Sequence, residues 1–132
     1  MDDLTIDKDT YIQLKRAFMG GFTHANANYS NKVLTDVSSV DFTSSYPSVM
    51  ISEQFPMSRF KPVEIQSLSE LQLYCSKYTM VFDAKFINIR AKISYENYIS
   101  ESKCFKLVKP ILNNGRVFSA DELATTITEV DF

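Results

Sequence analysis

Asp41 closes an apolar run and opens a hydroxyl-rich one, V-D-F-T-S-S-Y-P-S-V-M from Val40 to Met50. A carboxylate is a hard oxygen ligand of the kind Mg²⁺ takes. Thr43, Ser44 and Ser45 suit a tight turn, and Pro47 suits the first position of a helix, with Tyr46 before it pushed out of the α region. A helix start leaves amide N–H groups without intrahelical partners, a favourable place for phosphate oxygens. A metal ligand beside an anion cradle is apparatus for handling a nucleoside triphosphate. The ring of Tyr46, fixed by Pro47, can stack under a sugar and exclude a 2′-hydroxyl. A plainer alternative uses the same residues: Asp41 caps a helix, the serines fill a turn, and Tyr46 packs in a core.

The elements that must position these groups read as follows. Asp9-Thr10 can cap a helix over Tyr11 to Phe18, which Met19-Gly20-Gly21 stops; two of the chain's three glycines are adjacent there. An asparagine-rich loop runs from Thr23 to Lys32. Val33 to Phe42 is expected as a strand delivering Asp41 at its C-terminal end, followed by a helix over Pro47 to Gln54. Ser67-Leu68-Ser69-Glu70 is a capping box opening a helix to about Lys77. Tyr78 to Ile89 alternates loosely, and V-F-D-A-K-F-I-N-I-R, ending at Arg90, is the longest strand candidate. Lys103 to Leu112 reads as a strand broken by Pro110, and Asn113-Asn114-Gly115 as a hairpin turn from which Arg116 to Phe118 returns. Ser119-Ala120-Asp121-Glu122 is a second capping box, predicting a helix to about Thr128. The final E-V-D-F reads as a strand start without continuation, as in a fragment.

Composition narrows the function classes. The chain has 132 residues, 45% hydrophobic, with ten Phe and seven Tyr, enough for one domain's core. A formal net charge of -2 disfavours a stand-alone DNA reader, which shows a basic excess. One histidine, His24, rules against zinc sites of the Cys/His kind and His-based triads, leaving only a hard metal on carboxylates. Cys75 and Cys104 read as two reduced thiols. No apolar run reaches the ~18 residues of a membrane span, and the acidic N-terminus is no signal peptide.

D-F-T-S-S-Y-P-S resembles the first palm motif of family B DNA polymerases, D-x-x-S-L-Y-P-S. Ser44 and Tyr46-Pro47-Ser48 match, and Ser45 replaces the usual leucine. Phe18-Met19-Gly20-Gly21-Phe22 resembles the Y-x-G-G segment joining exonuclease and polymerase domains, with Phe18 in place of tyrosine. Thr79 to Arg90 and I-L-N-N-G-R-V-F-S-A-D-E-L resemble the segment that follows in protein-primed bacteriophage polymerases.

The resemblance implies an α+β fold: a partial palm, an antiparallel sheet with packed helices, plus part of an inserted subdomain. Residues 1–32 would be the exonuclease junction, 33–66 the first half of the palm with the metal-binding motif, and 67–132 an insertion or continuing palm segment, truncated at its C-terminal end. It implies that Asp41 ligates both catalytic Mg²⁺ ions and that Phe42 offers its backbone carbonyl to one. Ser45 and Tyr46 would present amides to the dNTP triphosphate while the Tyr46 ring gates the sugar. Ser44 would touch primer-template or the priming (terminal) protein, and Phe18, Gly20 and Gly21 the single-stranded DNA template. The expected setting is the bacterial host cytoplasm.

Two-metal phosphoryl transfer needs more than one carboxylate. The family's D-T-D motif and its K-x-x-x-N-S-x-Y-G helix do not occur here, so this expected fragment would be inactive alone, and its open sheet edge would allow a non-native dimer. Asp36, Asp83, Glu96 and Asp131 read as capping or solvated acids. The competing readings are a non-catalytic module and a structural protein. In the first, Y-E-N-Y-I-S-E-S-K-C-F-K-L-V-K from Tyr95 to Lys109 binds single-stranded DNA or the priming protein. The spacing of Lys103, Lys106 and Lys109 suits a lysine-protected edge strand better than a basic stripe.

Overall fold

The computed structural model describes residues 5–21, 23, 25–93 and 97–132; Phe22, His24 and Glu96 lie outside the described residues. Among those described, three α-helices and a four-stranded antiparallel sheet make an α+β fold, compatible with a partial palm.

Helix α1, Lys8–Ala17, starts where Asp7, rather than Asp9, takes the capping role. Asp7 Oδ1 accepts from the amides of Asp9 and Thr10 at 3.0 and 2.9 Å, and Thr10 Oγ1 donates to Oδ2 at 2.7 Å. These bonds, led by the Thr10 amide, hold the Asp7 carboxyl below its ordinary pKa. Lys15 and Arg16 sit in the last turn, where positive charge complements the helix dipole. Helix α2, Ser45–Ser52, begins two residues earlier than expected and takes Tyr46 into its first turn. Pro47 is accommodated because N–H groups of a first turn have no intrahelical acceptor to lose. Helix α3, Leu68–Cys75, follows the capping box: Ser67 Oγ accepts from the Glu70 amide at 3.2 Å, and Glu70 Oε2 accepts from the amide of Gln66.

Strand β1, Val81–Arg90, forms as expected. Lys109-Pro110 separates β2, Lys106–Val108, from β3, Ile111–Asn113, and Asn114 and Gly115 turn the hairpin with φ of 48° and 71°. Both positive φ values match a turn that follows the twist of the flanking strands. The central strand β4, Arg116–Thr128, pairs antiparallel with β1 on one side and with β2 and β3 on the other. Leu123, fully buried, centres a core with Val117 and Ala120, against which Phe86, Ile89, Ile99 and Leu107 pack. Helix α1 lies against β4 and β1.

Two expectations are overturned. Ser119 to Thr128 is strand, not helix. Glu122 does not reach back to a cap but lies 2.6 Å from both Lys85 and Lys106 on the neighbouring strands. The β-branched run T-T-I-T favours the ladder, and pairing on both sides outweighs a local capping pattern. Val33 to Phe42 forms no strand. Asp36 takes a positive φ of 58°, interrupting the extended run, and no strand ladder includes this segment. The final residues form a turn rather than a strand: Asp131 Oδ2 accepts from the amide and hydroxyl of Thr128. Cys75 and Cys104 are free thiols.

Candidate functional site

The sequence-predicted residues fall into two places. Asp41 and Phe42 lie in an exposed irregular segment just before a turn. Ser44 sits at the N-cap of α2 in the left-handed region, φ 53° and ψ 44°, and its side chain makes no capping bond. Its carbonyl accepts from the Ser48 amide at 2.8 Å. The helix start therefore opens with the Ser45 and Tyr46 amides not taken by a side-chain cap. The Tyr46 residue is 85% exposed, so the core-tyrosine alternative fails. Asp41 does not cap α2, since the N-cap is Ser44.

This segment carries an unusual amount of uncovered apolar surface. Val33, Val40, Phe42, Ile51 and Met57 are each more than four-fifths exposed, and α2 has no extensive packing partner among the described elements. Exposed apolar runs of this size mark surfaces that associate with something.

Oxygen donors at Asp41 and Phe42 are of the type Mg²⁺ takes. Their number is not sufficient: among the described residues no group of three or more His, Cys, Asp or Glu is placed to hold a metal ion. One carboxylate and a carbonyl do not make a two-ion site.

The second place is the Gly–Gly segment. Phe18 is the C-cap of α1 and is exposed, while Met19 is buried. Gly20 has φ +66°, a conformation that favours glycine, and Phe18 Cε1 lies 3.8 Å from the position a Cβ would take there. The buried Arg116, first residue of β4, reaches this turn: its Nη2 donates to the carbonyls of Met19, Gly20 and Gly21 at 3.1, 3.1 and 3.2 Å, and its Nη1 to the Tyr98 carbonyl. Asn114 in the hairpin turn donates to the Thr23 carbonyl at 2.9 Å. A polar cleft of about 420 Å³ lies alongside, lined by Gly21, Thr23, Ser100, Ser102, Asn114 and Arg116 among others. Sequence reasoning missed Arg116 because its partners in the Gly–Gly turn lie almost a hundred positions away. The available signal was its place directly after N-N-G, at the start of a returning strand.

A protein-family model described as DNA polymerase type B, organellar and viral, matches residues 2–131. The chain belongs to this family. The match spans both places just described. No curated protein and no solved structure matches the chain. Family B polymerases act on a DNA template and dNTPs and generally use Mg²⁺. The lysines of the Tyr95 to Lys109 stretch make contacts within the fold. Lys106 pairs with Glu122, Lys109 lies 3.1 Å from Asp121, and Lys103 donates to the Lys15 carbonyl. These contacts tie the stretch to β4 and to α1. No helix among the described residues is long and apolar enough to cross a membrane.

Proposed function

We propose that this chain is part of a DNA-directed DNA polymerase of the protein-primed bacteriophage type and contributes the first palm motif to its active site. Residues 1–32 are the junction after an exonuclease domain, 33–66 the first half of the palm, and 67–132 the insertion or continuing palm segment that follows. Asp41 supplies one carboxylate, and Phe42 one carbonyl, to a Mg²⁺ site whose other ligands come from outside these residues. The Ser45 and Tyr46 amides bind the dNTP triphosphate, the Tyr46 ring discriminates the sugar, and Ser44 faces primer-template or the priming protein. Phe18, Gly20 and Gly21 contact the single-stranded template. On this reading the chain alone does not polymerise, and the setting is a bacterial host cytoplasm.

One observation carries the reading. In a chain of the polymerase family, Asp41 is exposed within two residues of a turn that leads into a helix start lacking a side-chain cap. The uncovered apolar residues around it fit a segment that the rest of a palm covers.

Primer extension by a longer polymerase containing this chain tests it, with wild type and Asp41→Asn compared in Mg²⁺. The expected result is extension by wild type and a loss of at least about a thousandfold in the variant, with thermal unfolding unchanged, since the lost group acts on transition-state charge. Normal extension by Asp41→Asn would reduce this carboxylate to a turn residue.

A further inference from the structure

We propose that Arg116 is the positioning residue of the Gly–Gly turn, holding its backbone so that the Gly20 and Gly21 amides face a single-stranded DNA phosphate. This rests on the reading of the Gly–Gly segment as a template contact. Three successive carbonyls, from Met19, Gly20 and Gly21, converge on one guanidinium nitrogen within 3.2 Å. In a trans peptide the N–H points opposite the preceding C=O. Carbonyls drawn inward by Arg116 therefore turn the Gly20 and Gly21 amides outward, on a stretch that is itself exposed and has no side chain to cover it. Successive outward amides around a positive-φ residue form a concavity suited to an anionic oxygen.

Arg116 also donates to Tyr98, so the same guanidinium ties the turn to the chain entering the β2 region. Its residue is only 7% exposed and its guanidinium is taken up by four backbone carbonyls, so the charge is spent on the turn although the residue borders the cleft. Asn114 pins the far side of the loop at Thr23. The β3–β4 hairpin is therefore the template on which the turn is shaped. A lysine at 116 has one nitrogen with three donors on a flexible stem and cannot reproduce the planar fork that reaches four carbonyls.

The test uses the present chain, Arg116→Gln and Arg116→Lys. Binding of a fluorescent twelve-nucleotide oligothymidine is measured against salt, backbone amide order parameters are followed by NMR at residues 19–21, and hydrogen exchange is followed at Leu123. The expected result is binding weakened about tenfold in Arg116→Gln and less in Arg116→Lys, because bonds from a charged donor are lost. The order parameters of the Gly20 and Gly21 amides fall while Leu123 stays protected from exchange. The slope of log affinity against log salt stays at the wild-type value, since a guanidinium taken up by backbone carbonyls neutralises no phosphate.

If Arg116→Gln loses protection at Leu123 as well, the comparison is made on Arg116→Lys, with the same expectations. A slope reduced by about one unit would mean direct phosphate contact and overturns the positioning role. Unchanged affinity with unchanged order parameters at Gly20 and Gly21 overturns it outright. If wild type itself fails to bind the oligonucleotide, the proposal falls together with the template reading beneath it, and the Asp41 experiment then decides the palm motif separately.

Discussion

The hydroxyl of Thr126 donates a 2.6 Å hydrogen bond to Asp83 Oδ1, directly across the β1–β4 ladder. Arg16 of α1 approaches the other carboxylate oxygen at 3.8 Å, and its guanidinium also stands over the Phe105 ring at 5.2 Å. One aspartate thus joins the two longest strands to the helix that leads into the Gly–Gly turn.

Thr126 is fully buried. Thr126→Val keeps the shape and the β-branched backbone preference but removes the donor. Loss of a hydrogen bond to a charged acceptor should cost about 1–2 kcal/mol. Urea unfolding followed by circular dichroism measures it; a midpoint equal to wild type would show that water replaces the hydroxyl at no cost.

The adjacent glycines should respond with opposite signs. Gly20→Ala meets nothing closer than 3.8 Å, so space is adequate, but its φ of +66° strains any L side chain. The expected cost is about 1–2 kcal/mol. Gly21 has open space and no such φ, so Gly21→Ala should stabilise by up to about 1 kcal/mol through the unfolded chain. Paired thermal melts decide, and equal effects at the two positions would contradict the turn geometry.

In acid, the cross-strand triad should fail. Hydrogen bonds from Lys106 and then Lys85 hold the Glu122 carboxyl below its ordinary value of 4.5. A depressed folded-state value means the stabilisation is present above 4.5 and lost as pH falls through the folded value. Glu122→Gln should therefore flatten the acid limb of the stability curve, and added salt should narrow the difference. Parallel acid limbs for wild type and variant would deny the triad any part in acid stability.

The alkaline limb has different causes. Partial desolvation of a half-exposed ring, followed by the Asp131 carboxylate, raises Tyr98 from 10.0 to about 12. Burial raises Cys104 from 9.0 to about 11. Both neutral forms are favoured in the folded chain, so stability is intact below the ordinary values and declines as pH rises toward the raised ones. Tyr98→Phe should remove the part of this decline between pH 10.0 and 12. Cys104 should react slowly with a thiol reagent near neutrality in the folded chain and faster on unfolding, because the thiolate is the reactive form.

Local chemistry was legible wherever a few neighbouring residues decide the outcome. The Ser67–Glu70 box, the N-N-G turn, the alternation of β1 and the glycine at a positive φ need only their own side chains and backbone sterics. The motif residues from Asp41 to Tyr46 were legible as a pattern, and the helix after them formed within two residues of its expected start. Ser119 to Thr128 was not legible, because its capping pattern is correct locally and loses to hydrogen bonding on both edges of β4. Val33 to Phe42 failed in the reverse sense, since strand-like composition produces no strand without a ladder to join. Arg116 belongs to the same class. That a guanidinium after a hairpin should grip the Gly–Gly turn depends on a long-range approach of two segments, which burial and pairing across the whole sheet decide and no short window of sequence contains.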